Sequence, residues 1–229
     1  MDRLALVADL HGNYQATLAM EAELKALGVD EILCLGDAVG KGPDSDKTCD
    51  WVRASCTTVI GGNWDYGIGG KEFPDDEFFW RQLGEERMRW LNGLPREGEL
   101  LLSGVRFHLF HGRPVSPLMR VTSPELAEYF RLGDTVYGGI IFADSHRPFI
   151  RTLNEGYAIN TGSVGNSMGV PKAHGLLLEG TKGSEAPSSL RMTVLSVPYD
   201  NRAAVAAVPE GLPRREAYIR EITTGIYSR

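Results

Sequence analysis

The first sixty residues alternate between short apolar runs and longer mixed stretches, and this alternation constrains the fold more than any other feature. Apolar runs at 4–8, 31–35 and 57–60 are predicted to be strands. Helices are predicted between them, over 13–27 and from about 45 to 53. A strand, helix, strand, helix, strand order predicts a parallel sheet, whose ligands gather beyond the carboxyl ends of its strands.

The first helix is predicted to bury a rough apolar face formed by Tyr14, Leu18 and Leu24, and to stop at Gly28. Beyond the first sixty residues, 75–94 is polar and helix-like, and 100–110 has the pattern of a hairpin that turns at Ser103-Gly104. The remaining predicted elements are strands within 136–142, 149–159, 175–179 and 192–197, and a helical tail over 201–229 that covers the sheet. The length suits one domain spanning 1–229.

Composition narrows the classes of function. A net charge of −6 lacks the basic field of nonspecific nucleic-acid binders, so long nucleic acid is not an expected partner. The apolar run at the N-terminus is too short for a signal peptide or a membrane span, and we expect a cytoplasmic protein without membrane contact. Cys34, Cys49 and Cys56 form no CxxC pair and no even set, which argues against a disulfide scaffold or a zinc ribbon. Small phosphate compounds remain compatible, because bound metal ions can supply positive charge.

Metal-ligating side chains recur where predicted strands give way to loops. In Asp9-Leu10-His11 the two-residue spacing points a carboxylate and an imidazole to the same side. Any one such segment is more simply explained as a turn residue that satisfies local backbone groups. Several together favour a site for two divalent ions. The seven candidate ligands are Asp9, His11, Asp37, Asn63, His111, Asp144 and His146.

These segments, in this order, resemble the calcineurin-like metallophosphoesterase superfamily, whose pattern runs D-x-H, G-D, G-N-H-D/E, H-G and G-H-x-H. The stretches 9–13, 36–40 and 160–165 also resemble its small bacterial branch of phosphodiesterases and diadenosine tetraphosphate hydrolases. The resemblance implies an α/β fold, a four-layer α/β/β/α sandwich of two mixed sheets flanked by helices. It also implies two ions about 3.5 to 4 Å apart that activate a bridging water and clamp phosphoryl oxygens.

The resemblance also assigns the ligands. It implies that one ion is bound by Asp9, His11 and His146, and the other by Asn63, His111 and Asp144, with Asp37 bridging the two. Asp37, Asn63 and His111 are the residues it marks as catalytic. The metals it allows are manganese, iron, zinc, nickel or magnesium, and the hard oxygen of Asp144 favours manganese.

Two positions depart from the family pattern. Asp144 stands where the pattern has a histidine, and Trp64 stands where the pattern has a histidine that can protonate the leaving oxygen. The loss of that proton donor favours phosphodiesters and phosphoanhydrides over alkyl monoesters, because their leaving groups need less help. Arg113 and Arg147 follow ligand motifs and are candidates to bind phosphate oxygens.

Other polar residues receive weaker assignments. Lys41 and Lys172 are weaker candidates than the two arginines for contact with phosphate. His108 is predicted to point to the opposite face of its strand from His111, and His174 has no motif around it, so both are expected to be structural.

The predicted function is a dinuclear-metal phosphoesterase that hydrolyses phosphodiesters or nucleotide anhydrides, with dinucleoside polyphosphates as the sharpest substrate prediction. Its partner is then a small phosphate compound, and the oligomeric state stays open. Two alternatives remain: a phosphoprotein phosphatase, and a noncatalytic nucleotide-binding relative whose second ion site has decayed.

Overall fold

The computed structural model describes residues 1–112 and 126–228. Its strands are β1 Asp2–Val7, β2 Glu31–Cys34, β3 Thr58–Val59, β4 Glu97–Leu102, β5 Val105–Phe110, β6 Arg131–Leu132, β7 Thr135–Val136, β8 Gly139–Phe142, β9 Phe149–Thr152, β10 Tyr157–Asn160, β11 Ala173–Gly180 and β12 Arg191–Val197. Its α-helices are α1 Tyr14–Ala26, α2 Ser45–Ser55, α3 Asn63–Gly69, α4 Glu77–Asn92, α5 Leu126–Tyr129, α6 Asn201–Ala206 and α7 Arg215–Thr224. A 3-10 turn spans Pro74–Asp76.

Ten of these strands form two five-stranded mixed sheets. The first has the order β12-β11-β1-β2-β3, and the second has the order β4-β5-β8-β10-β9. The predicted parallel arrangement is confirmed for β1, β2 and β3, while β11 and β12 join antiparallel at the other edge. In the second sheet β5, β8 and β10 are parallel and the two edge strands are antiparallel.

The strand β1 shows how the layers are joined. Leu4 and Leu6 pack into the core between the two sheets, whereas Ala5 and Val7 pack toward the helices. Successive side chains point to opposite faces of a strand, so a strand buried on both faces must be apolar throughout. The predicted sandwich of two mixed sheets flanked by helices is therefore confirmed.

Two local predictions need correction. Leu18 is 38% exposed, and α1 instead buries Ala16, Thr17 and Met20 together with Leu24. Ala16 and Thr17 have small side chains, which let the helix approach the sheet closely. The positions of the large apolar residues alone do not predict this face. The tail is also not one helix, because residues 207–214 separate α6 from α7. None of the helices in the described ranges is long and apolar enough to cross a membrane.

Candidate metal centre

Six of the predicted ligands follow strands whose carboxyl ends share one edge of the molecule. Asp9 and His11 follow β1, Asp37 follows β2, His111 follows β5, and Asp144 and His146 follow β8. All but Asp144 are at most 6% exposed, and the Asp144 side chain is 9% exposed. The two sheets thus bring together residues that lie up to 137 positions apart, as the strand-end pattern predicts.

Three histidines turn the same nitrogen toward a common centre. The Nδ1 atoms of His11, His111 and His146 lie 3.2, 2.6 and 2.5 Å from the backbone carbonyls of Val39, Leu35 and Asn166. A carbonyl only accepts hydrogen bonds, so each Nδ1 carries the proton. In its neutral form each imidazole therefore has a lone pair on Nε2, the atom that binds metal when Nδ1 is held in this way.

Two carboxylates lie between these imidazoles. Asp9 Oδ1 is 3.7, 3.9 and 3.5 Å from the Nε2 atoms of His11, His111 and His146. Asp37 Oδ2 is 3.6 and 3.4 Å from those of His11 and His111. The other oxygen of each carboxylate accepts a backbone N–H, from Asp144 at 3.2 Å and from Trp64 at 2.8 Å. Each carboxylate is thus oriented by one oxygen and directs the second at the histidines.

Buried atoms without partners show that a cation fits this centre. Asp9 Oδ1 and His111 Nε2 are inaccessible to solvent and form no hydrogen bond within residues 1–112 and 126–228. An orphaned buried acceptor costs about 1–3 kcal/mol, which a bound cation would offset. Two clusters have the spacing of metal ligands, namely Asp9, His11 and His146, and Asp9, Asp37 and His111. Asp9 belongs to both, while a bridging role for Asp37 stays a prediction.

Asp144 and Asn63 lie at the open side of the centre. Asp144 Oδ1 is 3.8 Å from His111 Nε2, which places this carboxylate beside the second cluster. Asn63 begins α3 with an exposed side chain, and it lines the same cavity as Asp37 and Asp144. Their assignment as ligands of a second ion stays a prediction.

The pKa values of the three histidines and of Asp9 are shifted by burial and by neighbouring charges, and these shifts are compatible with cation binding. Burial, then the charge of Lys41, holds the pKa values of His11 and His146 well below the usual range. Burial also lowers the pKa of His111, but the carboxylates of Asp37 and Asp9 outweigh it and raise that pKa to about 10. Burial raises the pKa of Asp9 well above its usual value. A metal ion would replace the proton of His111 as the charge that balances the carboxylates.

Backbone strain is concentrated at the same residues. Nine non-glycine residues in the described ranges have positive φ, and five of them are predicted ligands: Asp9, His11, Asp37, Asp144 and His146. Left-handed conformations cost about 1–3 kcal/mol for such residues, and they persist where surrounding structure enforces them. Gly62 shows one such constraint, since a Cβ there would overlap the Asp37 carboxylate. The fold therefore holds this geometry against local preference.

Asp65 is a positioning residue to which the sequence assigned no separate role. Its buried carboxylate accepts backbone N–H bonds from Asp37 at 2.8 Å, Ala38 at 3.0 Å and Gly62 at 2.9 Å. These bonds tie the loop after β2 to the loop before α3. Burial, then the charge of Asp37, raises the pKa of Asp65 to about 7. One feature of the sequence could have indicated this role: Asp65 lies two residues after Asn63, in the same motif.

Replacing Asp65 by alanine is expected to lower the free energy of unfolding by about 3–5 kcal/mol. Three buried N–H groups would lose their acceptor, at about 1–3 kcal/mol each before water enters. Urea denaturation of the metal-free protein measures the loss. Asp50→Ala is the matched control: it removes a 2.6 Å surface ion pair with Arg87 and should cost less than about 1 kcal/mol. Equal losses in the two variants would contradict this role for Asp65.

Lys41 supplies positive charge next to the centre. Its Nζ donates to Asn166 Oδ1 at 3.0 Å and lies 4.0 Å from Glu221 Oε2 on α7. The backbone carbonyl of the same Asn166 accepts from His146, so Asn166 connects the lysine to a predicted ligand. Burial lowers the pKa of Lys41, against the opposing effect of Glu221 and the centre's carboxylates. From the sequence, Lys41 is predicted to be a weaker candidate for phosphate contact than Arg113 and Arg147.

Trp64 packs directly against the centre. Its ring meets that of His11 edge-on at 5.6 Å between centroids, and Lys41 Nζ lies 6.0 Å from the centre of the tryptophan ring. The ring also contacts Phe79 edge-on at 6.5 Å. The position therefore presents an apolar, aromatic wall where the family pattern has an imidazole.

The segment 160–165 supports the centre from behind. Ser163 Oγ donates to the backbone carbonyl of Asp9 at 2.7 Å, and Gly165 N donates to the same oxygen at 2.9 Å. Two other histidines lie outside the centre, as predicted: His108 Nδ1 contacts the Tyr129 carbonyl at 3.0 Å, and His174 Nδ1 contacts Ser167 Oγ at 2.8 Å.

A cavity of about 900 Å³ opens from the centre. Its wall includes Lys41, Trp64 and Arg147, so one of the two arginines predicted to bind substrate does face this space. Arg113, the other, lies outside the described residues. The α7 segment forms another wall, which the sequence did not connect with the site.

The chain is similar in sequence to known proteins. A family model described as the calcineurin-like phosphoesterase superfamily domain matches residues 3–183. An uncharacterized protein of Methanocaldococcus jannaschii, MJ0912, is 28% identical over an alignment 245 positions long, which spans 93% of this chain and 96% of that protein.

Solved structures agree in fold. A metallophosphoesterase from Sphaerobacter thermophilus has a TM-score of 0.71 at 22% identity, over 98% of this chain and 99% of the other. The hypothetical protein PH1004 from Pyrococcus horikoshii OT3 has a TM-score of 0.72 at 20% identity, over the full length of both chains.

Proposed function

The chain belongs to the calcineurin-like phosphoesterase superfamily, and from that premise we propose that it hydrolyses phosphodiesters or nucleotide phosphoanhydrides with two divalent cations. The observation that carries the proposal is the convergence of three Nε2 atoms on the Asp9 and Asp37 carboxylates, with buried atoms there lacking partners. Dinucleoside polyphosphates are the sharpest substrate prediction.

The residues present fit two cations. Asp9, His11 and His146 would hold one, and Asn63, His111 and Asp144 the other, with Asp37 between them. When bound, two divalent ions supply Lewis acidity, which withdraws electron density from phosphoryl oxygens and lowers the pKa of water. Manganese is favoured because carboxylate oxygens are hard ligands.

The chain's own side chains would bind and orient the phosphate. Lys41 and Arg147 line the cavity at the centre and would meet nonbridging phosphate oxygens. Lys41 is held by Asn166, so its ammonium is positioned before substrate arrives. The ring of Trp64 packs against that of His11, and an indole, unlike an imidazole, does not act as a general acid at neutral pH.

The absence of an imidazole at position 64 sets the expected substrate preference. Expulsion of a basic alkoxide needs a proton donor, whereas phenolate or phosphate leaving groups depart with less help. We therefore favour diesters and anhydrides over alkyl monoesters, and over the phosphoserine esters of a protein phosphatase. The noncatalytic alternative draws on Trp64 and Asp144, the two departures from the family pattern.

Elemental analysis followed by a substrate panel tests the proposal. We expect about two transition-metal ions per chain, loss of hydrolysis on chelation and recovery on adding manganese. Bis(p-nitrophenyl) phosphate or a dinucleoside polyphosphate should give a higher kcat/KM than an alkyl monoester or a phosphopeptide. His174→Gln is the matched control, because this histidine lies outside the centre and its loss should leave the metal content unchanged.

Three results would count against the proposal. Full activity after exhaustive metal removal would exclude a metal mechanism. No turnover with any divalent cation would favour the noncatalytic alternative. A clear preference for the phosphopeptide would favour the protein phosphatase.

A further inference from the structure

The cavity is much larger than a phosphate group requires. Its volume of about 900 Å³ lies at the upper end of the range for sites that enclose small organic ligands, about 300–1,000 Å³. The predicted ligands Asp37, Asn63, Asp144 and His146 line only part of it. The remaining walls come from α3 with the 3-10 turn after it, and from α7 with the tail that follows.

The wall formed by α3 is apolar and carries an exposed aromatic ring. Trp64, Gly67 and Ile68 are spaced so that they lie on one face of the helix, and all three line the cavity. The ring of Phe73 rests on Gly67, where a Cβ would lie 3.4 Å from Phe73 Cε2. Phe73 is nevertheless 58% exposed, so much of its ring faces open space.

The wall formed by α7 and the tail carries a second exposed aromatic residue. Arg214, Tyr218 and Glu221 line the cavity from α7 and the residue before it, and Tyr227 follows from the tail. Tyr227 is 58% exposed. Its neighbour Ser228 donates its backbone N–H to Glu221 Oε1 at 2.9 Å, which anchors the tail to the helix. Glu221 also lies near Lys41, so the same residue links this wall to the metal centre.

Charged groups divide the cavity in a way that matches a nucleotide. Lys41 and Arg147 belong to the part beside the centre, where phosphate oxygens would lie. Asp75 and Asp76 follow Phe73 closely and also line the cavity. Their carboxylates can accept hydrogen bonds from exocyclic amino groups or from ribose hydroxyls.

We propose that the part of the cavity lined by Phe73 and Tyr227 is a nucleobase subsite, in which the base of a substrate stacks on these aromatic rings. The proposal deepens the phosphoesterase function proposed above and rests on it. Two exposed aromatic residues in the wall of a cavity that also reaches the candidate metal centre are the features that stacking requires.

The test compares two small ligands that differ only in the base. Adenosine 5′-monophosphate and ribose 5-phosphate are titrated calorimetrically into the manganese-loaded protein, and the ratio of their Kd values reports the base. Stacking of one base gives about a fivefold to 150-fold effect, and we expect the ratio to be about ten or more. Phe73→Ala and Tyr227→Ala should each lower this ratio several-fold, whereas Phe73→Tyr should keep it.

Ile226→Ala is the matched control, since Ile226 is 53% exposed, adjoins Tyr227 and is not part of the cavity wall. A wild-type ratio near one, an unchanged ratio in both alanine variants, or an equal loss in Ile226→Ala would each overturn the subsite. Hydrolysis of bis(p-nitrophenyl) phosphate is measured in parallel. Absent turnover with a high ratio would reject the esterase while retaining the subsite, and turnover with a ratio near one would do the reverse.

Discussion

Asp9→Asn and Asp37→Asn are each expected to lower kcat/KM by about a thousandfold or more, which corresponds to about 4 kcal/mol of transition-state stabilisation. Each carboxylate has one oxygen fixed by a backbone N–H and the other directed at histidine Nε2 atoms. An amide has nearly the same shape but carries no charge, so it is a weaker ligand at position 9 and a poor bridge between two cations at position 37. Both variants should fold and bind less metal.

Steady-state kinetics and metal analysis of the two variants measure this effect. Manganese should raise the Tm of the wild-type protein more than that of either variant, because stabilisation by a ligand follows its affinity for the folded state. Asp50→Asn is the control for a lost carboxylate at the surface, and it should behave like the wild type. Near-normal turnover in Asp37→Asn would show that Asp37 does not bridge, and the same result in Asp9→Asn would show that Asp9 is not a ligand of the first ion.

The ends of the strands that carry the candidate ligands were predictable from the sequence, because a strand end depends on local sequence. Apolar runs such as 4–8 cannot continue through charged residues, so the change from apolar to polar marks where a strand meets its loop. The resemblance to a family then supplied the layer order and the pairing of ligands. Neither follows from spacing alone, since β1 and β8 come together only through the stacking of two sheets.

The orientation of the ligands was not predictable in this way. The carbonyls that hold the three imidazoles lie 28, 76 and 20 residues from His11, His111 and His146 along the chain. A backbone carbonyl has no sequence signature, because every residue has one. Lys41 was predicted only as a weak candidate, and the α7 wall was not predicted, for a related reason. Both depend on long-range packing of segments whose sequence is that of an ordinary loop and tail.

Replacement of Asp144, which stands where the family pattern has a histidine, has the second largest expected effect. If Asp144 is a ligand as proposed, the ionised Asp9, Asp37 and Asp144 would oppose two divalent cations with three carboxylates, one more than in the family pattern. The additional negative charge would lower the Lewis acidity of the centre. Lys41 offsets part of it, because its charge interacts with Asp144 as well as with Asp9 and Asp37.

We expect Asp144→Ala to lower metal content from about two ions per chain to about one, and to reduce kcat/KM by about a hundredfold or more. The backbone N–H of residue 144 would still donate to Asp9, so the first cluster should survive. Asp144→His should remain loaded with metal, with its preference moved from manganese toward zinc, since an imidazole is a softer ligand than a carboxylate. Titration of both variants with manganese and zinc tests this expectation. Asp134→Ala, at an exposed position outside the cavity wall, is the control. If Asp144→Ala binds two ions with unchanged affinity and turns over normally, Asp144 is a loop residue and the second ion takes its ligands elsewhere.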